Sequence, residues 1–489
     1  MSQSGAERQE RTEDQMPFST EEWMQTPKAV QAFVLTLVER VQELEAEVAE
    51  LQEQVTRNSR NSSQPPSKDG PQVEPKLRQQ AKSGRKRGGQ KGHAGHKRPL
   101  VSVEQVKERH EIKPAQCRHC GQELSGSDPA PYRHQVTEIP PVVAEVIEYR
   151  LHTLSCAACG LETRAELPVG VPQGGFGPRL QAMVSLLSGR YHLSKRQVSE
   201  MMADFFGADV ALGSIATLEQ RTSQALSAPV DEARAYVRRQ SVVHVDETGW
   251  RETNCRAWLW VAATTLVTVF LIRLSRGGKV VRDLLGQTFQ GIAVSDRWSA
   301  YNWLTTPLRQ LCWAHLLRDF QAFVERGGSS QQIGENLLTQ AELMFQWWHQ
   351  VRDGTISRTT FQQHMQPLQH QVGQLLRQGL SCDHARTAAT CRDILKREQA
   401  LWTFVSVEGV QPTNNLAERQ IRPAVLWRNH SFGTQSDAGS RFAERIMTVV
   451  ATCKQQQRHV LSYLTQACEA ANWGVPAPSL LPQDAVVAQ

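Results

Sequence analysis

The pattern that most limits the fold is a repeated pairing of apolar run and acid. The stretch SVVHVDETGWR, residues 241–251, is a short β-branched run closed by two carboxylates, Asp246 and Glu247. Fifty residues on, GIAVSDRWSAYNWL repeats it, with Ile292 to Val294 apolar and Asp296 following. Short valine- and isoleucine-rich runs of this kind read as strands. Between them, RAWLWVAATTLVTVFLIRL holds two apolar runs broken near residues 263–265, which reads as a β-hairpin, and GGKVVRDLL reads as a short helix. RQLCWAH reads as one more short strand. Two strands that each end in an aspartate put both carboxylates at one end of a sheet if the strands are neighbours. Hard oxygen ligands on a rigid sheet suit a divalent cation such as Mg2+. Glu247 competes with Asp246 for the first position, and spacing does not decide between them.

Such a site calls for a third carboxylate. From Leu316 to about Val410 the chain reads as mostly helical, and no further strand there ends in an acid. Trp347 and Trp348 read as core residues of that segment. Then comes PTNNLAERQIRPAVLWRNHSFGTQSDAGSRFAERI. Thr413 or Asn414 can cap a helix carrying Glu418, with Pro423 expected to limit it. Arg419, Arg422 and Arg428 surround that acid, and suit either phosphate contacts or ion pairs within the helices.

The first third of the chain has a different character. Residues 1–28 read as disordered. In residues 29–57, Val34, Val41, Val48 and Val55 are spaced by seven, and Leu37, Leu44 and Leu51 fall three after the first three valines. Valine at a and leucine at d favour a parallel two-stranded coiled coil, so a homodimer through residues 34–55 is expected. Asn, Ser, Pro and Gly end the helix and open a linker over 58–100. Between Lys76 and Arg98 that linker has nine lysines or arginines and no acid, which suits a polyanion. Arg85, Lys86, Arg87 and Lys91 are its candidate phosphate contacts.

Two CxxC pairs follow, Cys117 with Cys120 and Cys156 with Cys159, each followed by glycine. VVAEVIEYRLHTL between them reads as strand. Two such turns on a β scaffold supply the four thiolates of a closed structural zinc site, so residues 101–168 read as a zinc ribbon with His119 on its surface. In 172–236 the period turns helical. Ser194 is placed to cap KRQVSEMMADFF, and Gly213–Ser214 to open IATLEQRTSQAL, a helix-turn-helix-like pair.

Taken together, these pieces resemble the insertion sequence 66 family of bacterial transposases over nearly the whole chain. The resemblance rests on NSRNSSQPPSKDG with RKRGGQKGHAGH, the paired CxxC, HVDETGWR, SDRWSAYNWL, CWAHLLRDF and TNNLAERQIRP. It implies a ribonuclease-H-like α/β catalytic core in two pieces, 240–315 and 410–472, split by a helical insertion over 316–409 and followed by a tail, 473–489. The expected fold class is therefore multidomain α+β, with coiled coil, zinc ribbon and helical domain ahead of that core. Carried over motif by motif, the catalytic triad is Asp246, Asp296 and Glu418, with two Mg2+ or Mn2+ ions. Cys312 and His315 match a cysteine–xx–histidine signature and take a supporting role. Arg297–Trp298 stands where such families often carry a glycine and a small or aromatic residue. The implied function is cleavage and strand transfer of the DNA of an insertion sequence. Its partners are double-stranded DNA at terminal inverted repeats and target, and possible accessory proteins of the element. A DNA-binding protein without catalysis, or a zinc-ribbon nuclease that does not integrate, is the alternative.

Length and composition agree with this frame. A chain of 489 residues is long enough for three or four domains. No apolar run reaches the roughly 20 residues of a membrane span, and the polar start lacks a signal-peptide stretch. A cytoplasmic, nucleoid-associated protein is expected, its ten cysteines thiols or metal ligands.

Overall fold

The computed structural model describes residues 20–56 and 99–482. The candidate phosphate contacts Arg85, Lys86, Arg87 and Lys91, most of the basic linker, and the end of the expected tail lie outside the described residues. The described residues divide into two units. One comprises residues 310–413 and the N-terminal helices; the other comprises 99–309 and 414–482. No described helix is long and apolar enough to cross a membrane.

Helices α1 (Thr20–Gln25) and α2 (Lys28–Thr56) open the chain. The disorder expected over 1–28 therefore does not extend to its last residues, which are helical. On α2 the heptad residues Leu37, Val41, Leu44 and Val48 are all exposed.

The CxxC region has less strand than expected. Strands β1 (Thr153–Ser155) and β2 (Glu162–Arg164) pair antiparallel around the second CxxC turn. Residues 142–152 are not a strand, because no described residue forms a ladder with them. Val143, Val146 and Ile147 are exposed, and the Ala144 N–H donates instead to the Phe206 carbonyl at 2.8 Å.

Four helices follow: α3 (Pro178–Gly189), α4 (Lys195–Phe206), α5 (Leu212–Ala225) and α6 (Ser227–Arg238). Ser194 caps α4 as expected. Its Oγ accepts the Gln197 N–H at 3.3 Å, and the Gln197 side chain accepts the Ser194 N–H at 2.9 Å. Gly207 ends the helix in the left-handed conformation at φ +60°. Val198 and Met202 pack on Ile215 and Leu218 in a small core of their own.

The mixed sheet has the order β5-β4-β3-β6-β7. Strands β3 (Val242–Glu252), β4 (Cys255–Ala263) and β5 (Thr268–Arg273) form an antiparallel meander. Helix α7 (Gly278–Leu285) then carries the chain across to β6 (Ile292–Ser295), parallel to β3. Strand β7 (Arg309–Leu311) is the last in the order. β3 does not end at Asp246 as the sequence suggested. Its pairing with β4 runs on to Glu252, so the carboxylates sit within the strand. What ends beside Asp246 is the parallel ladder to β6, whose last pair is His244 with Val294.

The helical segment expected before Glu418 is present in the other unit. Its helices are α8 (Trp313–Glu325), α9 (Gly328–Arg352), α10 (Arg358–Gln378), α11 (Ala385–Leu395) and α12 (Thr403–Ser406). Phe320, Leu337, Met344, Phe361 and Phe404 are buried there. Trp348 meets Phe404 edge-on with centroids 5.5 Å apart, and Trp347 stacks on His364 at 3.8 Å.

Three helices close the sheet-bearing unit: α13 (Asn415–Ser431), α14 (Asp437–Gln455) and α15 (Val460–Trp473). α13 runs through Pro423 rather than stopping there. The ring is exposed, while Ala417, Ile421, Ala424 and Trp427 bury the opposite stripe, which holds the helix together past one missing N–H. Beyond α15, Leu480 reaches the main core, so the start of the expected tail is packed.

α14 covers the free edge of β5 with side chains instead of a strand. The N–H groups of Thr268 and Phe270 donate to Thr452 Oγ1 at 3.2 Å and Thr448 Oγ1 at 3.1 Å, and the Ile272 N–H donates to Glu444. Thr452 returns its hydroxyl to the Thr268 carbonyl at 3.1 Å. The spacing works because four helical residues rise about 6 Å and two strand residues about 6.6 Å. An edge so covered cannot pair with another chain.

Candidate active site and zinc-finger turns

Asp246 and Asp296 come together through strand register. β3 and β6 pair Val242 with Ile292, Val243 with Ala293 and His244 with Val294. Two residues beyond the last pair, Asp246 continues along β3 and Asp296 follows the end of β6. Asp246 accepts the Glu247 N–H at 2.9 Å, and Asp296 accepts the Trp298 N–H at 2.9 Å. Behind Asp296, buried Arg309 donates to its carbonyl at 3.2 Å and to Asn302 at 3.3 Å.

Glu418 arrives on α13. Asn414 stands at the helix N-cap, but its side chain does not cap α13. It turns to β3 instead. Its Nδ2 donates to the Val245 carbonyl at 2.7 Å, and its Oδ1 takes the His244 Nδ1–H at 3.2 Å. Burial pushes His244 down to about 4, so the ring is neutral and its proton sits on Nδ1. The Glu418 N–H donates to the Asn414 carbonyl at 3.2 Å. One buried amide thus ties the first turn of α13, with Glu418, to the residue before Asp246. Further along, Trp427 meets Trp250 edge-on at 6.0 Å, and Arg428 donates to Thr248 Oγ1 at 3.1 Å and to the Gly249 carbonyl. Arg428 is therefore engaged with the sheet, whereas Arg419 and Arg422 are exposed.

The Asp246 carboxyl is held well above its ordinary range, first by burial, then by the negative charges of Glu247 and Asp296, with Glu418 also contributing.

Glu247 has a different environment. Its neighbours alternate to the other face of β3. Tyr301 donates to Oε2 at 2.7 Å, and Arg276 reaches Oε1 at 2.8 Å. Arg276 lies 4.4 Å from the Trp258 ring and 3.8 Å from the Trp298 ring, and Trp298 donates to its carbonyl at 3.1 Å. Burial and Asp296 raise the Glu247 carboxyl, while Tyr301 and Arg276 lower it. Both oxygens of Glu247 are thus taken by partners that also hold the Asp296 loop. Sequence reading missed Arg276, His244 and Arg309, none of which lies in a spacing that marks it. Asn414 was visible only as a cap.

Cys312 and His315 lie in the other unit, at the start of α8. Cys312 is buried, and the His315 N–H donates to its carbonyl at 3.1 Å.

The two CxxC turns are built alike. The Cys117 N–H donates to the Gln122 carbonyl and the Cys156 N–H to that of Leu161, both at 2.8 Å. Gly121 and Gly160 follow at φ +74° in each. The N–H groups of Cys120 and His119 lower the Cys117 thiol, and those of Cys159 and Ala158 lower Cys156. Backbone donors aimed at sulfur favour thiolate, the form that binds a metal. Each turn brings its own two sulfurs together, but among the described residues the four are not gathered into one cluster.

Comparison with known proteins agrees with the motifs. A profile of the Transposase IS66 family matches residues 173–442, more than half of the chain. The chain belongs to this transposase family. The zinc-finger binding domain of transposase IS66 matches residues 114–160, and a family of unknown function matches 20–99. A relative in Sinorhizobium fredii (strain NBRC 101917 / NGR234), "Uncharacterized protein y4qI", is 26% identical over 249 residues, 46% of this chain and 46% of that protein. The match spans about half the length of that relative.

Proposed function

We propose that this transposase cuts DNA and joins the freed end to a target, with Asp246, Asp296 and Glu418 as the carboxylates of the reaction centre. The observation that supports the reading is that parallel register sets Asp246 beside Asp296, while the Asn414 tie anchors the first turn of the helix carrying Glu418, whose charge also acts on Asp246. Cleavage puts a water oxygen on phosphorus and breaks the P–O3′ bond, which leaves a 3′-hydroxyl and a 5′-phosphate. In joining, that hydroxyl attacks a target phosphodiester, and one target P–O bond breaks as the new one forms. Half-buried carboxylates whose charges raise Asp246 are a donor set suited to Mg2+ or Mn2+, which would neutralise the charge that builds on the attacking and leaving oxygens. The chain's own part is to hold the three acids rigid. Glu247 stands outside the triad, because Tyr301 and Arg276 already occupy it.

The order β5-β4-β3-β6-β7, a meander with the parallel strand beside its first member, supports a ribonuclease-H-like core. The separation of residues 310–413 supports a helical insertion ahead of Glu418. The zinc-finger match supports one structural zinc on Cys117, Cys120, Cys156 and Cys159. Arg85, Lys86, Arg87, Lys91, Arg419 and Arg422 suit the DNA backbone, Arg428 the scaffold. Cys312 and His315 keep a supporting role. The exposed Leu37–Val41–Leu44–Val48 stripe supports dimerisation through α2.

The test is a strand-transfer assay with the element's terminal DNA and Mg2+. Wild type yields joined product. Glu418→Ala binds the same DNA and yields neither nicked nor joined product. A Glu418→Ala chain that joins ends at the wild-type rate contradicts the assignment.

A further inference from the structure

One exposed corner of the sheet-bearing unit breaks three stability rules at once. At the tip of the β3–β4 hairpin, Arg251 and Arg256 are direct cross-strand partners, and both are exposed. Like charges in opposition weaken a hairpin. Beside them, α13 ends at Phe432, which takes the left-handed conformation at φ +57° with 70% of its surface exposed. For a bulky residue that conformation is strained, and glycine is the residue that ends a helix there without strain. The hairpin turn itself is strained at Thr253, φ +54°.

Hydrogen bonds tie these features to one another. The Thr434 N–H donates to the Arg251 carbonyl at 2.9 Å, and the Thr253 N–H donates to the Thr434 carbonyl at 2.7 Å. Trp250 Nε1 donates to Thr434 Oγ1 at 3.2 Å. Gly433 is required at the join, since a Cβ there would stand 2.2 Å from the Arg251 oxygen. Phe432 has no such requirement, so packing does not explain it. The acids at this corner are already engaged. Glu252 accepts the Ser440 hydroxyl, and Asp437 pairs with Arg441 at 3.4 Å.

We propose that this corner is a DNA-docking surface, with Arg251 and Arg256 on phosphates and Phe432 as an aromatic contact to base or sugar. Two cations and a presented aromatic ring, held at a cost in local stability, fit duplex DNA and no small anion. Local choices that oppose the fold cluster where function demands them. The proposal rests on the transposase reading for its partner, but not on the identity of the carboxylates.

The test uses the full-length protein and a fluorescent duplex of arbitrary sequence, with anisotropy read across a salt series. The double variant Arg251→Gln with Arg256→Gln should reduce the slope of log affinity against log salt by about 2, one for each phosphate left without its cation. Phe432→Gly should bind several-fold more weakly with a melting midpoint no lower than wild type. Phe432→Ala, which keeps the backbone strain but has no ring, should weaken binding to the same extent. Wild-type slope and affinity in all of these variants overturn the docking surface. Asp246→Asn separates this from the parent reading: it should bind DNA normally and fail to cut. If it cuts, the carboxylate assignment fails while the docking result stands by itself.

Discussion

Asn414 shows how much a single side chain can decide. The sequence offers Thr413 or Asn414 as a helix cap; Asn414 takes the cap position, yet its amide is used across the site on Val245 and His244. Short-range rules identify where a polar residue stands, but not which of two neighbours takes its hydrogen bonds. The same limit left Asp246 and Glu247 undecided. The strand period put them on opposite faces, and only the arrival of Tyr301 and Arg276 shows which face is already filled. Asn414→Ala removes the tie and leaves the Val245 carbonyl buried without that donor. We expect cleavage to fall about 10- to 100-fold, as for other groups that orient metal-binding side chains, with DNA affinity unchanged. Single-turnover cleavage beside anisotropy checks both.

The α14–β5 contact is the clearest case of an element whose role was not legible. RFAERIMTVVATCKQ reads as an amphipathic helix, and TVFLIR as a buried strand. That Glu444, Thr448 and Thr452 stand on one stripe matching alternate strand residues becomes visible only when the two lie side by side. Thr448→Val leaves the Phe270 N–H unpaired in the core and should cost about 1–3 kcal/mol in urea unfolding of this unit. Glu444 gives the contact a pH dependence. Burial, outweighing Arg441 and Arg273, lifts its carboxyl from 4.5 to about 7. The folded state therefore holds a proton that the unfolded state releases near 4.5. This contribution to stability is complete below that pH and is lost as pH rises through about 7. Glu444→Gln still accepts the Ile272 N–H and should flatten the fall in melting midpoint between about pH 5 and 7. The strand expected at 142–152 failed for the converse reason: its residues suit a strand, and among the described residues no partner strand meets them.

At the scale of the molecule, the long periodic signals were legible. The heptads fall on helix α2, the apolar runs fall on the sheet's strands, and helices α8 to α12 lie between Asp296 and Glu418 in sequence. What sequence could not supply was the lateral order of strands, which places Asp246 beside Asp296. The heptad also carries a prediction, because its exposed Leu44 lies in a d position. If the chain pairs through α2 as proposed, Leu44→Glu should leave only monomer in sedimentation velocity while the two folded units keep their melting behaviour. The most direct measurement of the central claim is Mn2+ binding to the full-length chain, followed by electron paramagnetic resonance. Wild type and Glu247→Gln should bind the ion, and Asp246→Ala, Asp296→Ala and Glu418→Ala should each weaken binding at least tenfold. Undiminished binding in a chain lacking all three acids would contradict that claim.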